Sequence, residues 1–434
     1  MASDDLPGVG WQRCSLGDVI ELKRGYDLPK RLRKAGPVPV VSSSGPSGWH
    51  DEAKVRGPGV VTGRYGTIGQ VFFVEGDFWP LNTALYIRDF KGADPRFVSY
   101  FLETIRWSQF TDKAAVPGVN RNHVHMDRVL WPPVEEQRRI SAVLGALDDK
   151  IELIRKMSQT LEATAQALFK SWFVDFDPVI DNALRAGNAI PDDLAERAEQ
   201  RREVMARESY NVPGYARLFP SEFEEAGFGS VPHGWEVTGL QALVEFNPRL
   251  SLARGTEAVY VEMKVLPTSG PSVSEWTTRE YKGGARFQQD DTLLARITPC
   301  LENGKSALVD FLEGDQIAFG STEYIVLRPR EGVPRVWPYC IVRYEPFRAH
   351  AIASMTGSSG RQRATVEALE GFQIAVPPAI VLAGFGAVTE PLFQRITANV
   401  NVSRTLAALR DTLLSKLISG ELRVPESAVA EDAT

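Results

Sequence analysis

A chain of 434 residues, 43% hydrophobic and 24% charged, is long enough for roughly three domains of ordinary size with buried cores. The absence of any run near ~18 apolar residues excludes a membrane-spanning helix, and three widely separated cysteines (Cys14, Cys300, Cys340) suit reduced thiols better than a disulfide frame or a zinc site. The net charge of −6 counts against a nucleic-acid partner until it is mapped: residues 177–230 are net −5 and residues 421–434 net −3, which leaves +2 for everything else. Asp4 and Asp5 in a start without an apolar stretch differ from a secretory leader, so the expected compartment is the cytoplasm.

The first segment, residues 1–134, holds 17 bases and 14 acids, and its run Lys23, Arg24, Lys30, Arg31, Arg33, Lys34 is opposed only by Asp27. Such a run is commonly a solvated face; it is compatible with DNA contact but too weak to hold DNA alone, so partner chains would supply much of the positive field. Gly59–Phe73 consists of short apolar runs punctuated by Gly, which predicts β-structure. A polar loop, Pro117-Gly118-Val119-Asn120-Arg121-Asn122, precedes Pro132-Pro133. Arg and Asn suit bidentate contacts with base edges, which makes Lys23, Arg24, Arg31, Arg64, Tyr65, Asn120, Arg121 and Asn122 the candidates of this segment for DNA.

Residues 135–176 change period. From Ile140 the apolar positions step by four and three through Leu144, Leu147, Ile151, Ile154, Leu161, Ala165, Leu168 and Trp172, broken only by Ser158. This heptad predicts one helix of about 40 residues, hence about 60 Å long. The acidic connector 177–230, interrupted by Pro178, Pro191, Pro213 and Pro220 and helical in propensity over Asp192–Ala206, reads as a partly ordered strap or docking segment.

Residues 231–378 repeat the first segment. Gly234-Trp235 followed by Leu240 matches Gly10-Trp11 followed by Leu16 at an offset of 224, and Pro377-Pro378 matches Pro132-Pro133 at 245, so the copies differ by 21 residues in their middles. Asp291–Val309 is again β-rich, and Gly357 to Arg363 is again a polar loop. The candidates for DNA here are Arg296, Asn303, Lys305, Ser358, Ser359, Arg361, Gln362 and Arg363. Residues 379–422 repeat the helix at the same 245 offset through Phe385, Leu392, Ile396, Leu406, Leu413 and Leu417, with polar Thr389, Asn399, Ser403 and Arg410 and a kink or restart expected at Pro391. Each helix alone would expose its apolar seam, so the simplest arrangement packs one on the other; two unrelated amphipathic helices in separate cores is the alternative. Residues 423–434 form a tail.

Motifs for catalysis fail on chemistry. Gly304-Lys305-Ser306 resembles the end of a P-loop, but Pro299 stands where the first glycine must wrap the phosphates. Gly63, Gly66 and Gly69 are spaced for turns between strands, not as a dinucleotide fingerprint. Asn247-Pro248-Arg249 lacks the second proline and the aromatic residue that grip a flipped base. Glu262-Met263-Lys264 has no upstream Asp at nuclease spacing, since Glu257 is too close and Glu245 is not an Asp. His123-x-His125 lacks an accompanying Cys or acid cluster, and the scattered histidines suggest no Ser-His-Asp triad.

Several motifs, in order, resemble one family. Pro132-Pro133-Val134-Glu135-Glu136-Gln137, opening the helix that closes with Leu168-Phe169-Lys170-Ser171-Trp172-Phe173-Val174-Asp175-Phe176, is similar to the central conserved region of type I restriction-modification specificity subunits. The stretch Ala295 to Ser306, followed by Gly320-Ser321-Thr322-Glu323-Tyr324, resembles the strand-loop signature of their recognition domains, and Leu413 to Leu422 resembles their C-terminal helix end. One departure is Ala379-Ile380-Val381 after the second Pro pair, without the Glu-Gln pair. The resemblance implies an α+β protein: two similar mixed α/β target-recognition domains, separated by two long helices packed as an antiparallel coiled coil in a pseudo-twofold repeat. It further implies that each domain reads one half of a split double-stranded DNA target, that the helices act as a ruler, and that the chain itself is non-catalytic. Two methyltransferase subunits would dock on helices marked by Ile140, Leu147, Ile154, Leu161, Leu168, Leu392, Ile396, Leu406 and Leu413, and restriction subunits would complete the nuclease. S-adenosylmethionine, ATP and Mg²⁺ would belong to those partners, with no cofactor or metal in this chain. An interaction scaffold without DNA readout, and a self-sufficient nuclease or methyltransferase, remain the competing readings.

Overall fold

The computed structural model describes residues 8, 10–111, 118–227, 229–358 and 360–425. It divides into two compact units: residues up to Glu152 with those from Arg404 onward, and Leu153–Ser403. The boundary cuts both long helices, so neither 1–134 nor 231–378 is a unit by itself; each recognition segment folds together with parts of the two helices.

In the first unit, β1 (Gln12–Ser15) pairs antiparallel with β9 (Arg128–Trp131), joining the two ends of the segment. Between them lies an antiparallel sheet of order β2-β8-β5-β6, built from β2 (Glu21–Arg24), β5 (Gly59–Gly63), β6 (Val71–Val74) and β8 (Ala84–Asp89). A smaller sheet holds β3 (Val38–Ser42) between β4 (Gly45–His50) and β7 (Trp79–Pro80), parallel to the latter. Short α1 (Leu16–Val19) follows β1 and α3 (Arg121–His125) precedes β9. The amphipathic α2 (Pro95–Glu103), capped by Asp94 Oδ1 accepting from the Phe97 N–H at 2.7 Å, buries Phe97, Val98 and Phe101 in one core with Leu22, Val60, Leu85 and Ile87. Burying such side chains contributes about 1.5–3 kcal/mol each.

The start of α4 (Val134–Phe173) shows what the Glu-Gln pair does. Gln137 is buried; its Oε1 accepts from the Asp94 N–H and its Nε2 donates to the Pro132 carbonyl, both at 2.9 Å. Buried Glu136 accepts from Arg139 at 2.6 Å. Ser141 Oγ adds a 2.6 Å donation to Asp94, so the helix start is clamped to the cap of α2.

The second unit repeats this plan. β12 (Glu236–Gly239) pairs with β21 (Gln373–Val376), and β13 (Val244–Phe246), β17 (Thr292–Ala295), β18 (Ser306–Leu308) and β20 (Tyr324–Pro329) give the order β13-β20-β17-β18, the same permutation as in the first unit. The companion sheet again has a parallel pair, β14 (Glu257–Val261) with β19 (Ala318–Gly320), flanked by β15 (Thr277–Glu280) and β16 (Ala285–Phe287). Pairing registers show where the 21 residues enter. The offset is 224 at Leu22 and Phe246, 232 at Gly63 and Ala295, 240 at Ala84 and Tyr324, and 245 at Val119 and Ala364.

The connector is ordered, with a helix where its composition predicts one. α5 (Asp177–Ala186) and α6 (Ala195–Met205) are tied by paired, bidentate bridges: Arg197 to Asp177 at 2.7 Å and Arg201 to Asp181 at 2.5 and 2.8 Å. Its acidity is therefore partly spent inside the chain. A hairpin of β10 (Phe223–Ala226) and β11 (Gly229–Pro232) leads into the second recognition segment. The Phe-Lys-Ser-Trp-Phe-Val-Asp-Phe motif is an aromatic core: Trp172, Phe173 and Phe176 pack with Phe219, Trp235, Trp337 and Phe385. α7 (Val336–Arg343) is joined to α4 by Tyr339, whose hydroxyl donates to the Glu162 carboxylate. Two shorter helices, α8 (Glu345–Ala353) and α9 (Val366–Glu370), complete this unit.

α10 (Ala379–Ile418) is one continuous helix through Pro391, so it does not restart there. Pro391 is exposed, so the hydrogen bond it forfeits lies on the solvent side, where water replaces it. The helix pairing is antiparallel. In the second unit Ser158 meets Asn399 (Oγ to Nδ2, 3.1 Å) while Trp172 lies 5.8 Å, ring to ring, from Phe385. In the first unit Asp148 bridges Arg410 at 2.9 Å, and Ile140 and Leu144 share a core with Leu414, Leu417 and Ile418. The polar positions that interrupt the seam thus find partners: Asn399 takes Ser158, Arg410 takes Asp148, and Thr389 Oγ1 donates to the Phe385 carbonyl at 2.8 Å.

Candidate nucleic-acid interface

The first unit gathers most of its candidates in one cleft. Arg24, Arg64, Tyr65, Gly118, Val119, Asn120, Arg121 and Asn122, with Leu85, line a space of about 400 Å³. The cleft forms because β5 ends where the loop before α3 returns. The Arg64 N–H donates to Thr83 O at 2.9 Å, its carbonyl accepts from the Val119 N–H at 3.0 Å, and Tyr65 bridges Gly118. Glycine at 118 is a steric requirement, since a Cβ there would stand 2.3 Å from the Tyr65 ring. The Arg64 guanidinium lies 4.5 Å from the Tyr65 ring centroid, a cation–π contact that orients it without neutralising it. Asn120 caps α3, its Oδ1 accepting from the Asn122 N–H at 3.0 Å, which leaves the amide end of that side chain as the one suited to a ligand.

Other candidates of this unit lie elsewhere. Lys23 is half-buried with its ammonium 5.6 Å from the Tyr26 ring, and Arg31 is exposed on the turn Lys30–Leu32. The basic run is less lopsided than its sequence: Lys34 sits 3.7 Å from Asp51 as well as Arg24 3.9 Å from Asp27. Pro117 lies outside the described residues. His125 is structural, its Nε2 accepting from the Leu22 N–H at 2.9 Å, with burial holding its pKa below the ordinary imidazole value.

In the second unit a cleft of about 280 Å³ is lined by Asn247, Pro248, Gly284, Ala285, Arg286, Arg296, Thr322, Tyr324 and Val326. Arg296 is the one predicted residue in it. Arg286 and Asn247 went unassigned to DNA, because β16 carries no sequence signature and Asn247 was weighed only as part of a failed methylation motif. Two predicted cations hold protein partners and stand outside the lining of this cleft. Lys305 donates its ammonium to the Met263 and Lys264 carbonyls at 2.7 and 3.2 Å. Arg363 forms a bidentate pair with Glu323, at 2.6 Å from Nη2, and the pair holds the Glu323 carboxyl below the usual carboxylate range. Asn303, Ser358 and Arg361 are exposed and Gln362 is half-buried, none lining the cleft; Ser359 lies outside the described residues.

The positions named for subunit docking face inward. Ile140, Ile154 and Ile396 are buried, and Leu147, Leu161, Leu168, Leu392, Leu406 and Leu413 are half-buried, so these side chains hold the helices in their own units. The helices leave Leu153, Met157, Val402 and Leu409 exposed instead. Among the described residues no cluster of three or more His, Cys, Asp or Glu side chains could hold a metal, and no helix is long and apolar enough to cross a membrane.

Residues 8–163 match the family model described as the type I restriction modification DNA specificity domain. The chain matches it over the first recognition segment and most of α4, about a third of its length. Its relatives include the type I restriction enzyme MjaIX specificity subunit of Methanocaldococcus jannaschii, 23% identical over 343 residues that span 77% of this chain and 71% of that one. The HindI specificity subunit of Haemophilus influenzae is 25% identical over 314 residues, 67% of this chain and 68% of that one. The crystal structure of a type I restriction-modification S subunit from M. genitalium shares the fold, with a TM-score of 0.53 at 14% identity over 96% of this chain and 97% of that one. The clefts therefore lie in the two copies of a fold shared with that S subunit.

Proposed function

We propose that this chain is the non-catalytic DNA-specificity component of a type I restriction-modification enzyme, each recognition segment reading one half of a bipartite double-stranded target. The observation that carries this reading is a pair of equivalent arginines, Arg64 and Arg296, each placed by the same backbone hydrogen bonds and each lining a cleft of its own unit. Arginine in a groove of this kind serves phosphate oxygens and guanine edges alike. The two helices, rising about 1.5 Å per residue, would set the spacing of the half-sites. Two methyltransferase subunits and the restriction subunits would dock on the faces carrying Leu153, Met157, Val402 and Leu409. Those partners would hold S-adenosylmethionine, ATP and Mg²⁺, so methylation of adenine and cleavage would be activities of the assembled, cytoplasmic enzyme.

The test is an exchange of residues 1–134 for those of a relative, followed by sequencing of methylated bases in cells that carry the complex. One half of the methylated motif is expected to change and the other to persist. An unchanged motif would leave an interaction scaffold as the better reading.

A further inference from the structure

The repeat allows the two clefts to be compared position by position, because hydrogen-bond registers fix the equivalences independently of sequence similarity. Arg64 and Arg296 each follow the last residue of an equivalent strand, β5 and β17. The Arg64 N–H donates to Thr83 O at 2.9 Å, and the Arg296 N–H donates to Glu323 O at 2.9 Å. Their carbonyls accept from the N–H groups of Val119 and Ala364 at 3.0 and 2.9 Å, one residue before the caps Asn120 and Thr365 of α3 and α9. The surrounding positions differ in every case. Arg24 is replaced by Pro248, Tyr65 by Ile297, Thr83 by Glu323 and Gly118 by Arg363.

Two halves of a split target differ in bases but share the phosphate backbone. A contact needed by both halves should keep its residue; a contact that reads bases should change between copies. On this argument, which rests on the DNA-reading function proposed above, we infer that Arg64 and Arg296 are equivalent phosphate anchors. Base discrimination then falls to the replaced positions, of which Glu323–Arg363 is the most distinctive. Two features agree with that division. Each arginine is placed at both its N–H and its carbonyl, so its reach is set by the frame and not by a variable loop. The Arg296 Nε is buried without a protein partner while its cleft stays open, leaving donors of that guanidinium for an anion. The Glu323–Arg363 pair instead presents an acceptor and donors together, the combination that can distinguish base edges.

The experiment uses the full chain in complex with its methyltransferase subunits. Binding is titrated at several salt concentrations on a duplex carrying the methylated motif and on a scrambled duplex. Arg64→Ala and Arg296→Ala are each expected to weaken binding to both duplexes by the same factor, roughly tenfold. Each should lower the slope of log K against log salt by about one, and leave the methylated motif unchanged. Arg64→Lys, which keeps the charge, should retain most of that slope; a guanine reader would not tolerate the loss of its fork. Arg363→Ala should do the reverse, lowering the ratio of specific to scrambled binding and relaxing the second half-site alone. Loss confined to the motif duplex in Arg64→Ala, or an equal loss on both duplexes in Arg363→Ala, overturns the assignment. A wild-type complex that binds the two duplexes equally overturns the DNA-reading function itself, and the anchors with it.

Discussion

Where α4 begins, residues 136 and 137 are Glu and Gln; at the equivalent positions of α10, residues 381 and 382 are Val and Leu. The first pair is buried and polar, its amide clamping the Asp94 N–H and the Pro132 carbonyl. The second pair is buried and apolar, packed in one core with Trp172 and Phe385. Both helices nonetheless start one residue after a Pro pair and run 40 residues. Burial is common to the two sites and chemistry is not, so the repeat preserves where side chains go more than what they are. The same holds at the clefts, where backbone hydrogen bonds are duplicated and side chains are exchanged. A scaffold of this kind can change what it recognises without changing how it folds.

The sharpest way to break the comparison is to move chemistry from one copy to the other. Val381→Glu places a carboxylate in an aromatic core, whereas Glu136 has Arg139 at 2.6 Å. An unpaired buried charge costs about 3–5 kcal/mol, so chemical denaturation should show a loss of this order in the second unit. A variant with wild-type stability would mean that water reaches this site. The reciprocal change, Gln137→Leu, keeps volume but strands the Asp94 N–H and the Pro132 carbonyl. The expected loss is smaller, about 1–3 kcal/mol, read as a lowered thermal midpoint. A neutral outcome would show that those groups find water, and that the clamp contributes orientation without stability.

Periodicity made the helices legible, because a heptad over 40 residues reports one buried stripe, and every predicted seam position from Ile140 to Leu417 is buried or half-buried. The repeat was legible from tryptophans and prolines at its ends, where the two copies must close in the same way; Trp11 and Trp235 are both buried. The connector's helical stretch was legible in its composition, but its closure was not, because that rests on Asp177–Arg197 and Asp181–Arg201, pairs 20 residues apart that leave no trace locally. The lining of the first cleft was largely among the candidate residues, since its arginines and asparagines border recognisable strand ends. The second was not, because Arg286 arrives on the edge strand β16, and because Lys305 and Arg363 look free in sequence until their partners, about 40 residues away, are placed.

The finest distinction concerns the seam itself. Read one helix at a time, Ser158 and Asn399 are flaws; read as a pair they satisfy one another at 3.1 Å. Apolar replacement would pack more surface, so the pair is better explained as a register device: an antiparallel slip by one turn would leave Asn399 against an apolar neighbour. Ser158→Ala should cost about 1 kcal/mol, because the Asn399 amide loses its acceptor in a buried place. Asn399→Leu in the Ser158→Ala background should restore that loss or exceed it, giving a coupling energy of about 0.5–1.5 kcal/mol in a double-mutant cycle. The decisive reading is not stability alone. If the double variant is more stable yet its complex methylates targets with altered spacing between the half-sites, the pair sets register. If spacing and stability are both unchanged, the apolar seam alone determines the alignment, and the polar pair is merely tolerated.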